Sequence, residues 1–271
     1  MFVGIALHAC NPGPMTGAGN NTYLVVSEGE AVMIDAGVGH PDHLAALARV
    51  LAEHQSALRM VLVTHGHQDH ASGAPAIADA YPDVTFAKYR GSRDELGPAV
   101  NWQWLSDGQE IAFGGARLSV IHTPGHAPDH VAFWHEAGRA LFTGDLVIAG
   151  GSVMIETSRG GNLTQYLRSL ERTLELRPRR LLPAHGPVVD AVDAADPAAL
   201  VRSHIEHRRT RERQIVAAIA AGHRTVEEIA ESIYDGLDVR LMPAALENVR
   251  AHLEKLAAEG IAADRDGWRT L

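Results

Sequence analysis

The sequence has little of several features that mark whole classes of protein. Its single cysteine, Cys10, cannot form an internal disulfide, which favours a reducing compartment. Its longest weakly polar run, 146–155, contains two glycines and a serine and is too short to cross a bilayer. The first ten residues lack the basic start and small-residue cleavage site of a secretory signal. We therefore expect a cytoplasmic protein that does not bind membranes.

Aromatic residues and net positive charge are also scarce. Aromatics make up 5% of the chain, and 33 acidic residues outnumber 24 basic ones, for a net charge of -9. Both values disfavour nucleic acid as a partner without excluding a local basic patch. The 271 residues are 46% hydrophobic and 21% charged, which is typical of a globular protein with one large domain, or one large and one small.

The first two thirds of the chain alternate between short apolar runs and amphipathic segments. This alternation predicts a mixed α/β domain in which helices cover sheets. A run at 60–63 is apolar throughout, as in a strand that is buried on both faces. Strands are predicted at 23–26, 31–34, 60–63, 117–122, 130–135, 140–143 and, as the last strand, 181–182; helices are predicted at 41–53 and after Asn162.

The character of the sequence changes near residue 194. Helices are predicted at about 197–221, 226–234 and 244–259, followed by a hairpin around the turn 264–267. Three short helices and a hairpin form a winged-helix pattern, so we predict a catalytic domain over 1–194 and a winged-helix domain over 195–271. The alternative is a helical extension packed on the main domain. We expect the tail to wall the active-site cleft or to form a subunit contact in a homo-oligomer.

Four arginines in the first tail helix resemble a phosphate-binding cluster: Arg208, Arg209, Arg211 and Arg213. Glu206 and Glu212 lie among them, and helical spacing spreads the four over neighbouring faces. We therefore interpret them as a solvated face, and nucleic acid as a partner that is not favoured.

The sixteen histidines include a dense cluster directly after the buried strand at 60–63. There, His65, His67, Asp69 and His70 fall within six residues. Three later residues of ligand type, His126, Asp145 and His185, each follow an apolar strand and a turn that contains glycine or proline. Together these segments predict a metal site.

These motifs resemble those of the metallo-β-lactamase superfamily, over about 22–186. The resemblance implies a four-layer αβ/βα sandwich with the metals at one edge. It implies that His65, His67 and His126 hold one metal, that Asp69, His70 and His185 hold a second, and that Asp145 bridges both. Asp35 is expected to support the site without binding metal.

The implied ligand set determines the expected chemistry. Nitrogen and carboxylate ligands suit zinc best, with iron or manganese as alternatives. Two such ions would lower the pKa of a shared water to about 7 and produce a hydroxide that attacks an acyl or phosphoryl centre. Asp69 and Asp145 are the predicted catalytic residues, and Asp69 would also accept a hydrogen bond from the nucleophile.

The whole-chain pattern, with its winged-helix tail, is similar to the β-lactamase-like protein 2 group, whose catalytic domain resembles glyoxalase II. We therefore predict a metal-dependent hydrolase of a small acyl substrate such as a thioester or lactone. The alternative is a metal-dependent endoribonuclease or phosphodiesterase on single-stranded RNA. A nucleic-acid-binding regulator with a metal-sensing domain is a third, weaker hypothesis.

Overall fold

The computed structural model describes residues 3–13, 16–91, 100–193 and 195–271. Their strands are β1 Val3–His8, β2 Asn21–Ser27, β3 Glu30–Ile34, β4 Ala57–Val63, β5 Thr85–Tyr89, β6 Trp102–Leu105, β7 Glu110–Phe113, β8 Ala116–His122, β9 Val131–His135, β10 Ala140–Gly144, β11 Arg180–Pro183, β12 Val189–Asp190, β13 Ala262–Asp264 and β14 Trp268–Thr270. Their α-helices are α1 Pro41–Glu53, α2 Gln68–Ala71, α3 Ala74–Ala80, α4 Leu163–Glu175, α5 Pro197–Ala220, α6 Val226–Ile233 and α7 Met242–Ala258. None of these helices is long and apolar enough to span a membrane.

Two sheets face each other in the first two thirds of the chain. Within the described residues, the first sheet has the order β1-β2-β3-β4-β5-β6 and the second has the order β12-β11-β10-β9-β8-β7. In the first sheet β3, β4, β5 and β6 run parallel, and in the second β10 and β11 do so. The expected four-layer α/β sandwich is therefore confirmed.

Side chains from both sheets interdigitate in a central core. Val25, Ile34 and Leu62 of the first sheet pack against Phe133 and Phe142 of the second. The outer face of the first sheet is covered by α1 and α3, and that of the second by α4 and parts of α5 and α7. Since each sheet is covered on both faces, inner strands such as β3, β9 and β10 are buried almost throughout, which agrees with their continuous apolar runs.

Helix α5 belongs to two cores. Val201 and Ile205 in its first half pack into the core beneath the second sheet, while Ile215 and Ile219 in its second half pack with α6, α7 and β13. Ala251 of α7 also packs into the core of the main domain. The tail is thus joined to the sandwich through shared apolar contacts. The predicted domain boundary falls at residue 194, outside the described residues, and stays a prediction.

Two expectations are corrected by the structure. The strand at 181–182 is not the last of the sandwich, because β12 follows it and pairs antiparallel with β11. Arg208 does not lie on a solvated face, because its side chain is 2% exposed and packs over the ring of Tyr166. Helical periodicity predicted that Arg208 is exposed like its neighbours. It is buried because α5 packs against both the main domain and the tail.

Candidate metal centre

The predicted ligands meet at the edge of the sandwich where parallel strands of both sheets end. The cluster at 65–70 follows β4, Asp145 follows β10, and His185 follows β11. The carboxyl ends of parallel strands point to the same edge, where ligands of α/β proteins commonly bind. His126 reaches this edge from the loop between β8 and β9, and Asp35 from the end of β3.

Three histidines bring one ring nitrogen each to a common point. Nε2 of His65 lies 2.9 Å from Nδ1 of His67, and Nε2 of His126 lies 3.0 Å from the same Nδ1. All three ring nitrogens lie within 4.8 Å of one another. Converging imidazole nitrogens are the donors of many zinc sites, so this first group fits a divalent cation.

A second group, with Asp145 between the two, completes the cluster. Oδ2 of Asp69 lies 3.3 Å from Nε2 of His70 and 3.3 Å from Nε2 of His185. Oδ1 of Asp145 also lies 3.3 Å from both of these nitrogens. Its other oxygen, Oδ2, lies 3.5 Å from Nε2 of His126 in the first group. The two carboxylate oxygens of Asp145 therefore face different groups.

Two buried atoms at the centre of the cluster form no hydrogen bond with any described residue: Nε2 of His70 and Oδ1 of Asp145. A buried polar atom without a partner costs about 1–3 kcal/mol. A cation would supply the missing interaction, and imidazole and carboxylate donors fit zinc, iron and manganese. The residues present therefore fit divalent metal ions.

Burial favours the neutral form of two histidines of the first group, His65 and His67. It lowers the pKa of His67 to about 3, and the neighbouring His126 and His70 act in the same direction. Burial also lowers the pKa of His65 well below its usual value, again together with His70 and His67. A neutral imidazole has the free lone pair that a metal requires.

Carboxylates have the opposite effect on the second group. Burial disfavours the charged form of His70, but the charges of Asp35, Asp145 and Asp69 outweigh burial and raise its pKa well above the usual value. Burial is likewise outweighed at His185, where the nearby carboxylates of Asp145 and Asp69 raise the pKa to about 9. A cation bound here would displace protons from these rings.

In two of the predicted ligands, His70 and His126, the ring nitrogen that points away from the cluster donates a hydrogen bond to an oxygen atom. Nδ1 of His70 donates a hydrogen bond to Oδ2 of Asp35 at 2.8 Å, which agrees with the supporting role expected for that aspartate. Nδ1 of His126 donates to the backbone carbonyl of Met154 at 2.7 Å. These hydrogen bonds direct Nε2 of each ring towards the cluster.

Two further buried residues, His130 and Asp129, form hydrogen bonds with the backbone of the site that the sequence did not predict. The backbone N–H of Asp145 donates to Nε2 of His130 at 3.1 Å, so His130 positions the residue between the groups. Oδ2 of Asp129 accepts a hydrogen bond from the backbone N–H of Gly66 at 2.9 Å, within the histidine cluster. In the sequence, Asp129 and His130 are marked only by lying three and four positions after His126. That spacing does not predict that they would bind the backbone N–H groups of Gly66 and Asp145.

A cavity of about 410 Å³ opens above the cluster. Beside five of the predicted ligand residues it is lined by Gln68, Ile148, Ser152, Val153, Met154, Glu156 and Arg159. Most of this wall is the segment between β10 and α4, so the same loop that follows Asp145 shapes the cavity. In the described part of the chain no further histidine or acid joins a comparable group of ligand-type residues.

Comparison with known families agrees with this geometry. The family model described as "Metallo-beta-lactamase superfamily" matches residues 15–185. A second, described as "Beta-lactamase associated winged helix domain", matches residues 225–268. The chain therefore belongs to the metallo-β-lactamase superfamily and carries the winged helix associated with it, and it is a hydrolase.

Individual relatives cover most of the chain. A beta-lactamase-like protein 2 homolog of Caenorhabditis elegans is 34% identical over 254 residues, which are 93% of this chain and 83% of the relative. An atrochrysone carboxyl ACP thioesterase of Aspergillus chevalieri is 33% identical over 247 residues, 88% and 75% of the respective chains. A solved metallo-beta-lactamase family protein from Thermus thermophilus has the same fold, with a TM-score of 0.79, 22% identity, and coverage of 99% of this chain and 98% of its own.

Proposed function

We propose that the protein is a cytoplasmic, dinuclear metal hydrolase of a small acyl substrate, with a thioester as the favoured class and a lactone as the alternative. In this proposal His65, His67 and His126 hold one ion, Asp69, His70 and His185 hold the other, and Asp145 bridges them. Zinc is the favoured metal, because five of the seven donors are imidazoles.

The observation that carries this proposal is the position of Asp145. One of its oxygens lies 3.5 Å from a nitrogen of the first group and the other lies 3.3 Å from two nitrogens of the second. A single carboxylate whose two oxygens face different ligand groups can hold two ions close together, which supports a two-metal site. In a single-metal site, the second group of two histidines and an aspartate would be a cluster of metal-binding side chains that binds no ion.

The protein residues have defined tasks in such a reaction. When bound, the metals would polarise the acyl carbonyl and make a water molecule more acidic. Asp69 lines the cavity, and its carboxylate is largely ionised because interactions with His70 and His185 lower its pKa, against the effect of burial. Asp69 therefore accepts a hydrogen bond from the attacking water and orients it towards the carbonyl carbon.

The composition of the cavity wall favours an acyl substrate rather than a polyanion such as RNA. Its apolar part is formed by Ile148, Val153 and Met154. Among its described lining residues the one arginine is Arg159, which lies 3.6 Å from the carboxylate of Glu156 and is already compensated in charge. A relative with a thioesterase name has a third of its aligned residues in common with this chain, which agrees with this choice of substrate class.

The test uses the full-length protein, stripped with a chelator and reloaded separately with zinc, iron or manganese. Each form is assayed against acyl thioesters of N-acetylcysteamine, aryl lactones, bis-p-nitrophenyl phosphate and single-stranded RNA, and bound metal is counted by mass spectrometry. We expect two ions per chain and the highest kcat/KM on a thioester. A preference for RNA or the phosphodiester, or saturation at one ion, would contradict the proposal.

A further inference from the structure

A groove of about 710 Å³ adjoins the metal cavity. The two share Met154 and Glu156 as wall residues. The far wall of the groove comes from the tail, where the segment 238–247 contributes six of the eight lining residues. Its volume lies in the range of small-molecule sites, about 300–1,000 Å³. A substrate in the metal cavity can therefore extend past Met154 towards the winged helix.

Much of the groove surface is apolar. Met154 lines the near wall, and Leu241, Pro243 and Ala244 line the far wall at the start of α7. Leu241 is 42% exposed, so part of its side chain is available to contact a ligand. Covering this surface with an apolar group is favourable, because apolar area is removed from water.

The charges around the groove disfavour an anionic ligand. Arg240 lines the groove and is paired with Asp238 at 2.6 Å, and the two other acids that line it are paired with arginines outside it: Glu156 with Arg159 at 3.6 Å, and Glu247 with Arg250 at 2.6 Å. Since three acids neutralise these three arginines, the described rim offers no uncompensated cation to a phosphate. A neutral ligand is therefore favoured.

Glu247 adds a hydrogen-bond acceptor to the wall of the groove. Its Oε1 accepts a hydrogen bond from Arg250 at 2.6 Å, whereas its Oε2 is buried and has no partner among the described residues. The side chain is 15% exposed. A carboxylate oxygen accepts hydrogen bonds and cannot donate when it is ionised, so the group that completes it must be a donor.

We propose that this groove binds the acyl portion of the substrate and selects an apolar acyl group that carries a hydroxyl, which donates a hydrogen bond to Oε2 of Glu247. The inference rests on the proposed function, since it assigns a substrate class to the same active site. It also assigns a task to the winged helix: α7 forms the wall that recognises the acyl group.

Binding of two matched probes tests the groove without any turnover. 2-Naphthol and 2-methoxynaphthalene are neutral and have the same rings, but only the first has a hydroxyl donor. Calorimetry on the metal-loaded protein should give a Kd about tenfold lower for 2-naphthol, since a hydrogen bond to a charged acceptor is worth about that factor. 2-Naphthol should also inhibit the best thioester substrate competitively.

Three variants locate the binding. Glu247→Met removes the acceptor and should reduce the difference between the two probes to less than about twofold. Ala244→Trp fills the groove and should abolish binding of both probes. Glu254→Met is the matched control, because this acid is exposed on the same helix and does not line the groove. Thermal unfolding and circular dichroism show whether each variant is folded.

The outcomes separate the groove from the reaction. Equal affinity of the wild-type protein for both probes, or unchanged binding in folded Ala244→Trp, would overturn the inference, even if thioesters are hydrolysed. If no thioester is hydrolysed but the probes follow the expected pattern, the groove stands as a site for hydroxylated apolar groups and the proposed function fails.

Discussion

Oδ2 of Asp35 accepts a hydrogen bond from Nδ1 of His70 at 2.8 Å, and both side chains are almost wholly buried. Asp35 has a positive φ of 63°, which is uncommon for a residue other than glycine. Its Oδ1 accepts two further hydrogen bonds from Thr64, one from the backbone and one from the hydroxyl. The strained backbone is therefore held by the same contacts that fix the orientation of His70.

We expect Asp35→Asn to weaken metal binding in the second group. The amide cannot act as the charged acceptor for Nδ1, so the orientation of Nε2 in His70 is no longer fixed. Loss of such a supporting acceptor typically costs about 10–100-fold in metal affinity or activity. Competition with a chelator measures the affinity. Asp42→Asn, an exposed aspartate in the first turn of α1, is the control, and equal affinities in the two variants would contradict this role.

Removing a ligand should abolish turnover and leave the fold intact. His67→Ala and Asp145→Asn change side chains at loops beyond the strand ends, outside the central core, so the apolar packing is preserved. We expect loss of at least one bound ion per chain, with kcat/KM reduced at least about a thousandfold. His54→Ala, an exposed histidine after α1, should behave as wild type. Near-normal activity of either ligand variant after metal reloading would refute the assignment.

The side chains that the histidine motifs singled out lie together in the structure, because strand-end loops keep such residues close together in the sequence. The four ligand-type residues after β4 lie within six positions, and the glycine or proline turns mark the other three. Contacts between segments that are distant in the sequence have no comparable sequence motif, so they were not predicted. The link from Arg208 to the loop before α4 joins residues 55 positions apart, and only the packing of α5 brings them together.

For the fold, the long amphipathic or apolar segments were the predictable ones. Helix α1 was expected at 41–53 and is found there, and the three tail helices differ from expectation by one or two residues at most ends. Strands β5 and β6 were not predicted. They are short, and polar or aromatic side chains such as Lys88 and Trp104 interrupt their apolar pattern. Pairing of β5 with β4, and of β6 with β5, therefore determines these strands more than local preference does.

Arg208 should stabilise the metal site from a distance. Its guanidinium donates to the carbonyl of Val153 and, at 2.9 Å, to Oδ1 of Asn248 in α7, and none of the described carboxylates forms an ion pair with it. The next residue, Met154, holds His126. We expect Arg208→Met to leave that loop without its anchor, to destabilise the protein by about 1–3 kcal/mol, and to lower metal affinity.

The matched control for Arg208 is Arg209→Met, an exposed arginine on the same helix. Chemical unfolding gives the stability, and chelator competition gives the affinity. A loss of stability in Arg208→Met with unchanged metal affinity would show that Arg208 stabilises the tail alone and does not act through His126.

His43 should make the protein less stable in mild acid. Burial, reinforced by His8 and His40, lowers its pKa from 6.5 to about 4 in the folded state. Between these values the unfolded chain binds the proton and the folded chain does not. The stabilisation is therefore complete above pH 6.5 and decreases as the pH falls towards 4, by up to about 1.4 kcal/mol per pH unit.

Urea unfolding at several pH values tests this dependence. His43→Gln has no titrating side chain, so the free energy of unfolding should decrease less steeply between pH 6.5 and 4 than in the wild type. Because both proteins keep the same metal cluster, the difference between the slopes reports on His43. Identical slopes would show that His43 is protonated equally in both states.

The winged helix should not bind duplex DNA tightly. Residues 201–271 contain 11 basic and 12 acidic residues. The arginines of α5 are largely engaged: Arg208 is buried, Arg211 packs 4.1 Å from the ring centroid of Tyr234, and Arg213 forms a 2.7 Å ion pair with Glu206. A winged helix that binds DNA inserts a recognition helix into the major groove, and α7, the candidate for that role in this chain, packs part of its surface on the main domain.

These features predict a Kd weaker than micromolar for a labelled 20-base-pair duplex at physiological salt, as measured by fluorescence anisotropy. Specific DNA-binding proteins reach about 10⁻⁸–10⁻¹¹ M under such conditions by presenting a concentrated basic face to the phosphates. Here α7 offers Arg250 and Lys255, and both are already paired with acids on α7, α5 or α6. A sub-micromolar Kd would mean that α7 leaves the main domain to bind DNA, and would contradict its assignment as a wall of the substrate groove.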